Sequence, residues 1–281
     1  MSGKVAIVTG SNKGIGLQIV KNLCAQFDGV VYLTSRDISR GEKAVENLKS
    51  EGLSPAYHQL DADSDESVNK FRDFIKEKHG GIDVLVNNAA IAFKHDSTES
   101  FGVQAEATNA TNYFGLKRVC NALFPLLRPH ARVVTLSSSA GHLSRIPGEN
   151  LQKKFSDPNL TEEEVDDLVK EFISAAKDGT HSEKGWPNSA YIVSKVAASA
   201  ISRIYHQRFL KDSREDIVIN HVHPGYVDTD MTSHKGPLTV EQGADAATYL
   251  ALLPPEIQSP KGDYVWYTRE IVDWVKGPIP V

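Results

Sequence analysis

Apolar residues along this chain alternate between short unbroken runs and longer stretches in which they recur every three or four positions. The unbroken runs predict strands at Val5–Thr9, Val30–Thr34, 56–60, Asp83–Asn87, Arg132–Ser137, 216–222 and 263–267. The spaced stretches predict helices at 14–27, 39–50, 64–79, 99–128, 190–210 and 240–252. Unbroken apolar strands suit a parallel sheet that is buried on both faces. The pattern therefore predicts an α/β fold, a doubly wound parallel sheet of about seven strands with helices on both faces.

One segment, at about 140–185, interrupts this alternation and inserts a helix of its own. Thr161 and Glu164 have the spacing of a capping box, which marks a helix N-terminus. The apolar residues that follow keep to one helical face and are Val165, Leu168, Val169, Phe172 and Ile173. This face either packs on the rest of the chain or covers a surface that would otherwise bind a partner. Because the sequence has no internal repeat and no low-complexity linker, we expect residues 1–281 to form one domain that contains the insertion.

Composition narrows the classes of function. The 281 residues are 40% hydrophobic and 24% charged, which is an ordinary globular mixture. The net charge of −5 lacks the basic excess that nucleic-acid binding favours, and no apolar run approaches the roughly 18 residues of a membrane span. The two cysteines, Cys24 and Cys120, are too few for a disulfide framework or a zinc site. We expect a cytoplasmic protein without a metal site, and with neither nucleic acid nor a membrane as its partner.

A glycine-rich loop separates the first predicted strand from the first predicted helix. Gly10, Gly14 and Gly16 follow the pattern Gly-x3-Gly-x-Gly. Glycines let the backbone approach a pyrophosphate, whose negative charge the N-terminus of the next helix favours. The loop therefore predicts a dinucleotide site of the Rossmann type. The remaining loop residues that we expect at this site are Asn12, Lys13 and Ile15.

The end of the second strand indicates which nicotinamide cofactor fits this site. Proteins that bind NAD usually place a carboxylate there, about 20 residues after the glycines, to bind a ribose hydroxyl. This chain has Ser35 at that point, followed by Arg36 and then Arg40. Guanidinium groups match a phosphate bidentately, and Lys13 can reach the same corner. These cations favour the 2′-phosphate of NADP(H), although Asp37 would repel that phosphate if its side chain turned inward.

Tyr191 and Lys195 lie four positions apart and therefore share one face of the predicted helix at 190–210. A phenol has a pKa near about 10, which is high for a proton donor at neutral pH. A neighbouring ammonium stabilises the phenolate and lowers that pKa, so the pair suits acid–base chemistry. Ser138, at the end of the fifth strand, is positioned to hydrogen-bond the substrate oxygen that receives the proton.

Together these motifs resemble the short-chain dehydrogenase/reductase family. The shared motifs are TGSNKGIG, NNAA, TNYFG, SSS, YIVSK and the segment Pro224–Thr229, which between them span nearly the whole chain. Within the family the chain is similar to the monomeric carbonyl reductases, which share the insertion and the approach GWPNSAY to the tyrosine. The resemblance implies that a monomer transfers hydride from NADPH to the carbonyl carbon of quinones, aromatic ketones and aldehydes.

The resemblance also implies a role for each motif residue. Tyr191 would donate the proton, Lys195 would lower the pKa of that phenol and bind the nicotinamide ribose, and Ser138 would position the carbonyl oxygen. Asn112 would hold a proton-relay water beside the lysine. The further cofactor contacts that the resemblance implies are Asp61, Asn88, Val227 and Thr229, and Tyr191 is expected to contact the cofactor as well.

These motifs say less about which residues contact the substrate. Gln104 and Tyr226 are expected to line the pocket, together with Ser138. His221 and His223 stand before the Pro-Gly turn, where the carbonyl reductases often carry a cysteine, and roles in packing or pocket lining suit them.

Two alternative functions remain open. One is a dehydrogenase of the same family that oxidises a hydroxy-lipid, a prostaglandin or a steroid, and the phosphate-favouring corner argues against it. The other is a cofactor-binding regulator without turnover. The complete set of Ser138, Tyr191, Lys195 and Asn112 argues against the regulator, since such a protein has less need of all four.

Overall fold

The computed structural model describes residues 3–94 and 96–280, which are built around an eight-stranded sheet. Its strands are β1 (Lys4–Val8), β2 (Gly29–Ser35), β3 (Ala56–Gln59), β4 (Ile82–Asn87), β5 (Leu127–Leu136), β6 (Val218–Val222), β7 (Tyr264–Val265) and β8 (Ile271–Val272). Their order is β3-β2-β1-β4-β5-β6-β7-β8, and β8 alone pairs antiparallel. The chain order reverses beside β1, so a crevice opens between the carboxyl ends of β1 and β4.

Helices cover both faces of the sheet. They are α1 (Gly14–Gln26), α2 (Ile38–Ser50), α3 (Asp65–His79), α4 (Phe101–Asn109), α5 (Leu116–Leu123), α6 (Glu149–Ser156), α7 (Glu162–Asp178), α8 (Ala190–Phe209) and α9 (Val240–Ala251). One core lies under α1, α2 and α9, and it includes Ile19 and Leu250. The other core lies under the remaining helices, and it includes Phe71 and Val193. None of the helices in the described ranges is long and apolar enough to cross a membrane.

The predicted doubly wound α/β fold is confirmed. Several elements differ from the prediction, among them α6, which was not expected, and β7, which covers only two residues of the strand expected at 263–267. The eighth strand, β8, follows a tight turn in which Arg269 has a positive φ of 68°. A strand of two residues is too short to show a period in the sequence. The helix predicted over 99–128 is interrupted by a π-helical segment at Ala110–Gly115, and β5 already begins at Leu127. Pairing of Leu127 with Ile82 of β4 draws this residue into the sheet, which local spacing does not reveal.

The inserted segment contains α6 and α7, and α7 begins with the predicted capping box. Thr161 Oγ1 accepts from the Glu164 N–H (3.2 Å), and the Glu164 carboxylate accepts from the Thr161 N–H (2.8 Å). The apolar face of α7 packs against α4 and α8, and Phe172 on this face is fully buried. Tyr113 Oη donates to the Asp166 carboxylate of α7 (2.8 Å). Helices of the same chain therefore cover the apolar face of the insertion.

Candidate active site

The glycine loop lies at the crevice between β1 and β4. Gly10 and Gly14 have positive φ values of 58° and 57°, a backbone conformation that residues with a Cβ rarely adopt. A Cβ on Gly10 would lie 2.8 Å from the Cα of Ala89, just after β4. On the other side, Ser11 Oγ accepts from the Thr34 N–H of β2 (3.1 Å). The loop is thus held between the ends of two strands, in the conformation that its glycines allow.

Thr9 and Asn88 attach this loop to the end of β4. Thr9 Oγ1 accepts from the N–H groups of Asn88 and Ala89, both at 3.0 Å. Asn88 Nδ2 donates to the carbonyl oxygens of Thr9 and Gly10, both at 2.9 Å. Gly16 packs against the same amide so closely that a Cβ would collide with it. Asn88, which we expected to contact the cofactor, therefore supports the backbone of the cofactor loop in this structure.

The first turn of α1 is available to an anion. Lys13, its N-cap residue, makes no side-chain capping hydrogen bond, and the turn holds no acidic residue. Side chains cap α2, α3, α4, α7, α8 and α9, whereas α1, α5 and α6 have no side-chain cap. Uncapped N–H groups and the helix dipole favour a phosphate at this end. The loop that includes Asn12 and Ile15 therefore fits the pyrophosphate of a dinucleotide.

Arg36 and Arg40 are exposed just beyond β2, at the corner predicted for a 2′-phosphate. Asp37, between them, is the N-cap of α2: its Oδ1 accepts from the Arg40 N–H (2.9 Å), and its Oδ2 lies 3.5 Å from Arg40 Nε. Ser35 Oγ donates to the Asp37 carbonyl oxygen (2.7 Å) and steadies the turn. The Asp37 carboxylate therefore caps α2 and contacts Arg40, which reduces the repulsion that it would exert on a 2′-phosphate.

Lys13, the third cation expected at this corner, points elsewhere in the structure. Its Nζ lies 2.6 Å from Asp230 Oδ2, in the loop that follows β6. Thr229 is next to Asp230, and its Cγ2 lies 3.6 Å from the position that a Cβ on Gly14 would take. Val227, in the same loop, is buried. The glycine loop and the loop after β6 thus meet across the crevice, and Lys13 must leave Asp230 to reach a 2′-phosphate.

Asp61 follows β3 and is half-buried. Its Oδ1 accepts from the Asp63 N–H (3.1 Å), so the carboxylate shapes the turn that leads into α3. Its contact with the adenosine side of a cofactor stays a prediction.

Ser138 and Tyr191 are brought together by β5 and α8. Ser138 caps the short 3-10 helix Ser139–Gly141, where its Oγ accepts from the Ala140 N–H (3.2 Å). Tyr191 lies in the first turn of α8, which Ser189 caps. The Ser138 hydroxyl is close enough to the phenol to lower the pKa of Tyr191, but burial is the larger effect and raises that pKa above its ordinary value. The phenol therefore keeps its proton at neutral pH.

Lys195 is buried one turn further along α8. Its Nζ lies 5.6 Å from the centre of the Tyr191 ring and donates to the Leu136 carbonyl oxygen at the end of β5 (2.7 Å). Burial lowers the pKa of Lys195 to about 8, so most of these amines carry a proton at neutral pH. The shared helix face is as expected. Burial, however, shifts the pKa of Tyr191 in the direction opposite to the lowering that we expected from Lys195.

Asn112 lies in the π-helical segment between α4 and α5, a kind of distortion that often marks functional sites. Its Oδ1 accepts from the Ile91 N–H (2.8 Å), and its Nδ2 donates to the Ile91 carbonyl oxygen (2.9 Å). Nδ2 also donates to Ser194 Oγ of α8 (3.0 Å). Asn112 therefore joins the loop after β4 to α8 beside Lys195, and its part in a proton relay stays a prediction.

The two further residues expected at the substrate lie on different elements. Tyr226, in the turn after β6, is 51% exposed, which leaves its ring accessible to a ligand. Gln104, on α4, is half-buried, and its Nε2 donates to the carbonyl oxygen of Glu99, which lies just before the same helix (2.9 Å). Contacts of either residue with a substrate stay predictions.

Sequence reasoning missed two side chains that hold the backbone at Ser138. Tyr264 Oη donates to the Ser138 carbonyl oxygen (2.5 Å), and His223 Nδ1 accepts from the Ser139 N–H (2.9 Å). We expected His223 only to pack or to line the pocket, and Tyr264 only to belong to the last strand. These pairs are separated by 126 and 84 residues along the chain, so no local spacing relates them. The available signal was a polar side chain at the carboxyl end of each strand.

Comparison with known proteins identifies relatives over nearly the full length. The family model for short chain dehydrogenase matches residues 4–149. Carbonyl reductase [NADPH] 1 of Rattus norvegicus is 48% identical over 272 residues, which cover 96% of this chain and 98% of the rat protein. Carbonyl reductase [NADPH] 3 of Homo sapiens is 45% identical over 273 residues, which cover 96% of this chain and 98% of the human protein.

Solved structures agree with this result. Salutaridine reductase from Papaver somniferum has a TM-score of 0.84 at 32% identity, over 93% of this chain and 99% of its own. Menthone neomenthol reductase from Mentha piperita has a TM-score of 0.80 at 32% identity, over 95% of this chain and 99% of its own. The family resemblance carried by the motifs is confirmed, and the chain belongs to the short-chain dehydrogenase/reductase family of oxidoreductases.

Proposed function

We propose that this protein reduces the carbonyl groups of quinones, aromatic ketones and aldehydes to alcohols with NADPH. The observation that carries the proposal is the placement of the Ser138 hydroxyl beside the phenol of Tyr191, one helical turn from the buried amine of Lys195. This arrangement offers a substrate oxygen both a hydrogen-bond donor and a proton. The names of the mammalian relatives support both the reaction and the cofactor.

The cofactor is held by loops at the crevice. Gly10, Asn12, Gly14, Ile15 and Gly16 let the pyrophosphate approach the backbone and the first turn of α1. Lys13, Arg36 and Arg40 bind the 2′-phosphate, which a carboxylate at Ser35 would repel. Asp61 and Asn88 lie on the adenosine side, and the backbone at Val227 and Thr229 receives the nicotinamide amide. When bound, NADPH supplies the hydride that adds to the carbonyl carbon.

The chain's own residues position the oxygen and move the proton. The Ser138 hydroxyl donates to the carbonyl oxygen and orients it towards Tyr191. The Tyr191 phenol releases its proton to this oxygen as negative charge develops there. The Lys195 ammonium stabilises the phenolate that remains, and it binds the ribose next to the reacting ring. Asn112 maintains the contact between the loop after β4 and α8, so that the lysine stays in place.

Replacing Tyr191 by phenylalanine tests the proposed proton donor. The ring remains while the proton is lost, so we expect turnover to fall by at least about a hundredfold, with NADPH binding retained. The measurement is NADPH oxidation with a panel of quinones, aromatic ketones and aldehydes, and NADH serves as the comparison cofactor. Tyr249→Phe is the control. It removes a hydroxyl on α9 that has no role in the proposed mechanism, and it should leave turnover unchanged.

Other outcomes of this assay point to the alternatives. If NADPH binds and no member of the panel turns over, the regulator is favoured. If the protein oxidises a hydroxy-lipid, a prostaglandin or a steroid with NADP faster than it reduces any carbonyl, the dehydrogenase is favoured.

We also propose that the chain acts as a monomer, as one domain and in the cytoplasm. The packing of α7 over α4 and α8 supports the monomer, because it covers an apolar face within the chain. Cys24 and Cys120 are both free thiols, as is usual in a reducing compartment. Light scattering should give the mass of one chain, and a dimer mass would contradict the proposal.

A further inference from the structure

The peptide bond between Ser138 and Ser139 is held at both of its polar atoms by side chains. Its carbonyl oxygen accepts from Tyr264 Oη at 2.5 Å, and its N–H donates to His223 Nδ1 at 2.9 Å. Carbonyl and N–H belong to one rigid plane, so the two contacts together set its orientation. That plane determines ψ of Ser138, which is 162°, and hence the direction in which the backbone presents the Ser138 side chain.

Both side chains are themselves held firmly. Tyr264 is 2% exposed and His223 is 7% exposed. The Trp266 ring lies 4.2 Å from the His223 ring and 6.0 Å from the Tyr264 ring, measured between centroids, so it packs against both. The His223 N–H donates to the Val265 carbonyl oxygen (2.9 Å), which extends the pairing of β6 with β7. The sheet register therefore aligns the two side chains with the end of β5.

The chemistry of His223 suits an acceptor. Backbone N–H groups can only donate, so Nδ1 must carry the lone pair and any ring proton of the neutral imidazole lies on Nε2. Burial lowers the pKa of His223 to about 4, which keeps the ring neutral at neutral pH. The same Nδ1 lies 3.4 Å from the Gly225 nitrogen, whose N–H also points to it. His223 thus joins the end of β5 to the turn that leads to Tyr226 and Val227.

We propose that His223 and Tyr264 are positioning residues for the Ser138 hydroxyl, acting through the Ser138–Ser139 peptide plane. The inference rests on the proposed function, because it gives Ser138 a substrate oxygen to orient. Neither side chain needs to touch the substrate or the cofactor for this role. Loss of either contact lets the plane rotate and misaligns the Ser138 hydroxyl with Tyr191. Small misalignments of reacting groups are costly to turnover but leave cofactor binding intact.

Two substitutions at position 223 separate the hydrogen bond from the packing. His223→Phe keeps a ring against Trp266 and removes the acceptor, whereas His223→Asn keeps an acceptor at the place of Nδ1 and loses the ring. We expect His223→Phe to lower kcat about tenfold, with the NADPH dissociation constant little changed, and His223→Asn to recover most of the loss. Tyr264→Phe, which removes the donor to the carbonyl, should resemble His223→Phe.

A Ser138→Ala background tests whether His223 acts through Ser138. Once the hydroxyl is absent its orientation has no effect, so His223→Phe should change the residual kcat little in this background. An equal loss in both backgrounds would mean general structural damage and would overturn the inference. His221→Phe is the matched control: His221 is also buried and stacks on Tyr264 at 4.9 Å, yet neither of its ring nitrogens has a hydrogen-bond partner among the described residues.

A second measurement does not depend on activity. The Ser139 amide should exchange its hydrogen slowly in the wild type and in His223→Asn, and faster in His223→Phe. A rapidly exchanging Ser139 amide in the wild type overturns the inference whatever the enzyme does. A protected amide in a protein that reduces no carbonyl would instead count against the proposed function, so the two failures are distinguishable. Wild-type turnover in His223→Phe also overturns the inference.

Discussion

Tyr191 and Lys195 share one face of α8, but burial acts on their proton affinities in opposite directions. It raises the pKa of the phenol and lowers the pKa of the amine to about 8. The neutral phenol holds a proton to give, which reduction requires. The amine is cationic below its pKa and can then stabilise the phenolate that reduction leaves behind. In the proposed mechanism, this protonation state of the pair suits reduction at neutral pH.

The pH dependence of reduction should follow the lysine. As pH rises through about 8, Lys195 loses its proton and with it the charge that stabilises the phenolate. We expect kcat for carbonyl reduction to be highest below this pH and to fall above it, measured under saturating NADPH. In Lys195→Arg any residual activity should lack this decline, since a guanidinium stays protonated. A rate that is constant through this range would show that the lysine charge contributes little.

At the scale of elements, the two loops that border the crevice are joined by one exposed ion pair. Lys13 in the glycine loop and Asp230 in the loop after β6 lie 2.6 Å apart, and both side chains are about 60% exposed. His234 contacts the other oxygen of the same carboxylate (3.2 Å). Exposed pairs are weak, so a 2′-phosphate can compete with Asp230 for the lysine. If Lys13 binds the 2′-phosphate as proposed, NADPH binding must break its ion pair with the loop after β6.

Removing the Asp230 charge should strengthen NADPH binding. Asp230→Asn leaves Lys13 without a competing carboxylate, and we expect the NADPH dissociation constant to fall by up to about fivefold, the worth of an exposed pair. Affinity for NADH should not change, because NADH has no 2′-phosphate. Titration calorimetry gives both values. Asp245→Asn, which breaks the exposed pair with Arg269 (2.7 Å), is the control for a general charge effect. Weaker NADPH binding in Asp230→Asn would contradict the proposed role of Lys13.

At the scale of the whole molecule, the insertion is part of the larger hydrophobic core. Val165, Val169 and Phe172 of α7 are fully buried and belong to the same cluster as the sheet residues Val5 and Val133. Phe172 packs edge-on to Phe101 at the start of α4 (6.0 Å between centroids) and against Trp186 (5.5 Å). The insertion therefore contributes to the stability of the whole domain as well as covering a surface.

Truncating Phe172 should destabilise the entire protein. Phe172→Ala removes a fully buried ring, and we expect the free energy of unfolding to fall by about 3–5 kcal/mol, measured with urea. Lys170→Ala, on the exposed face of the same helix, should cost less than about 0.5 kcal/mol. A small decrease in the free energy of unfolding for Phe172→Ala, with α7 unfolding in a separate transition, would show that the insertion folds independently of the core.

The parts that sequence predicted well are those in which neighbouring residues carry the information. The glycine loop, the capping box of α7 and the shared face of Tyr191 and Lys195 all depend on spacings of a few residues. Local spacing also misled at one place. The apolar pattern over 99–128 is helical throughout, yet a π-helical turn orients Asn112 and β5 begins at Leu127.

Sequence by itself determined the doubly wound fold and the family, and it named the candidate reactive side chains, because periodicity and short motifs encode them locally. Tertiary structure alone decided what surrounds those side chains. It buried Lys195 and half-buried Tyr191, which shifted their pKa values, and it paired Lys13 with Asp230. It also brought His223 and Tyr264 to the peptide after Ser138. Contacts between residues so distant along the chain arise only when strand order and register place β5, β6 and β7 side by side.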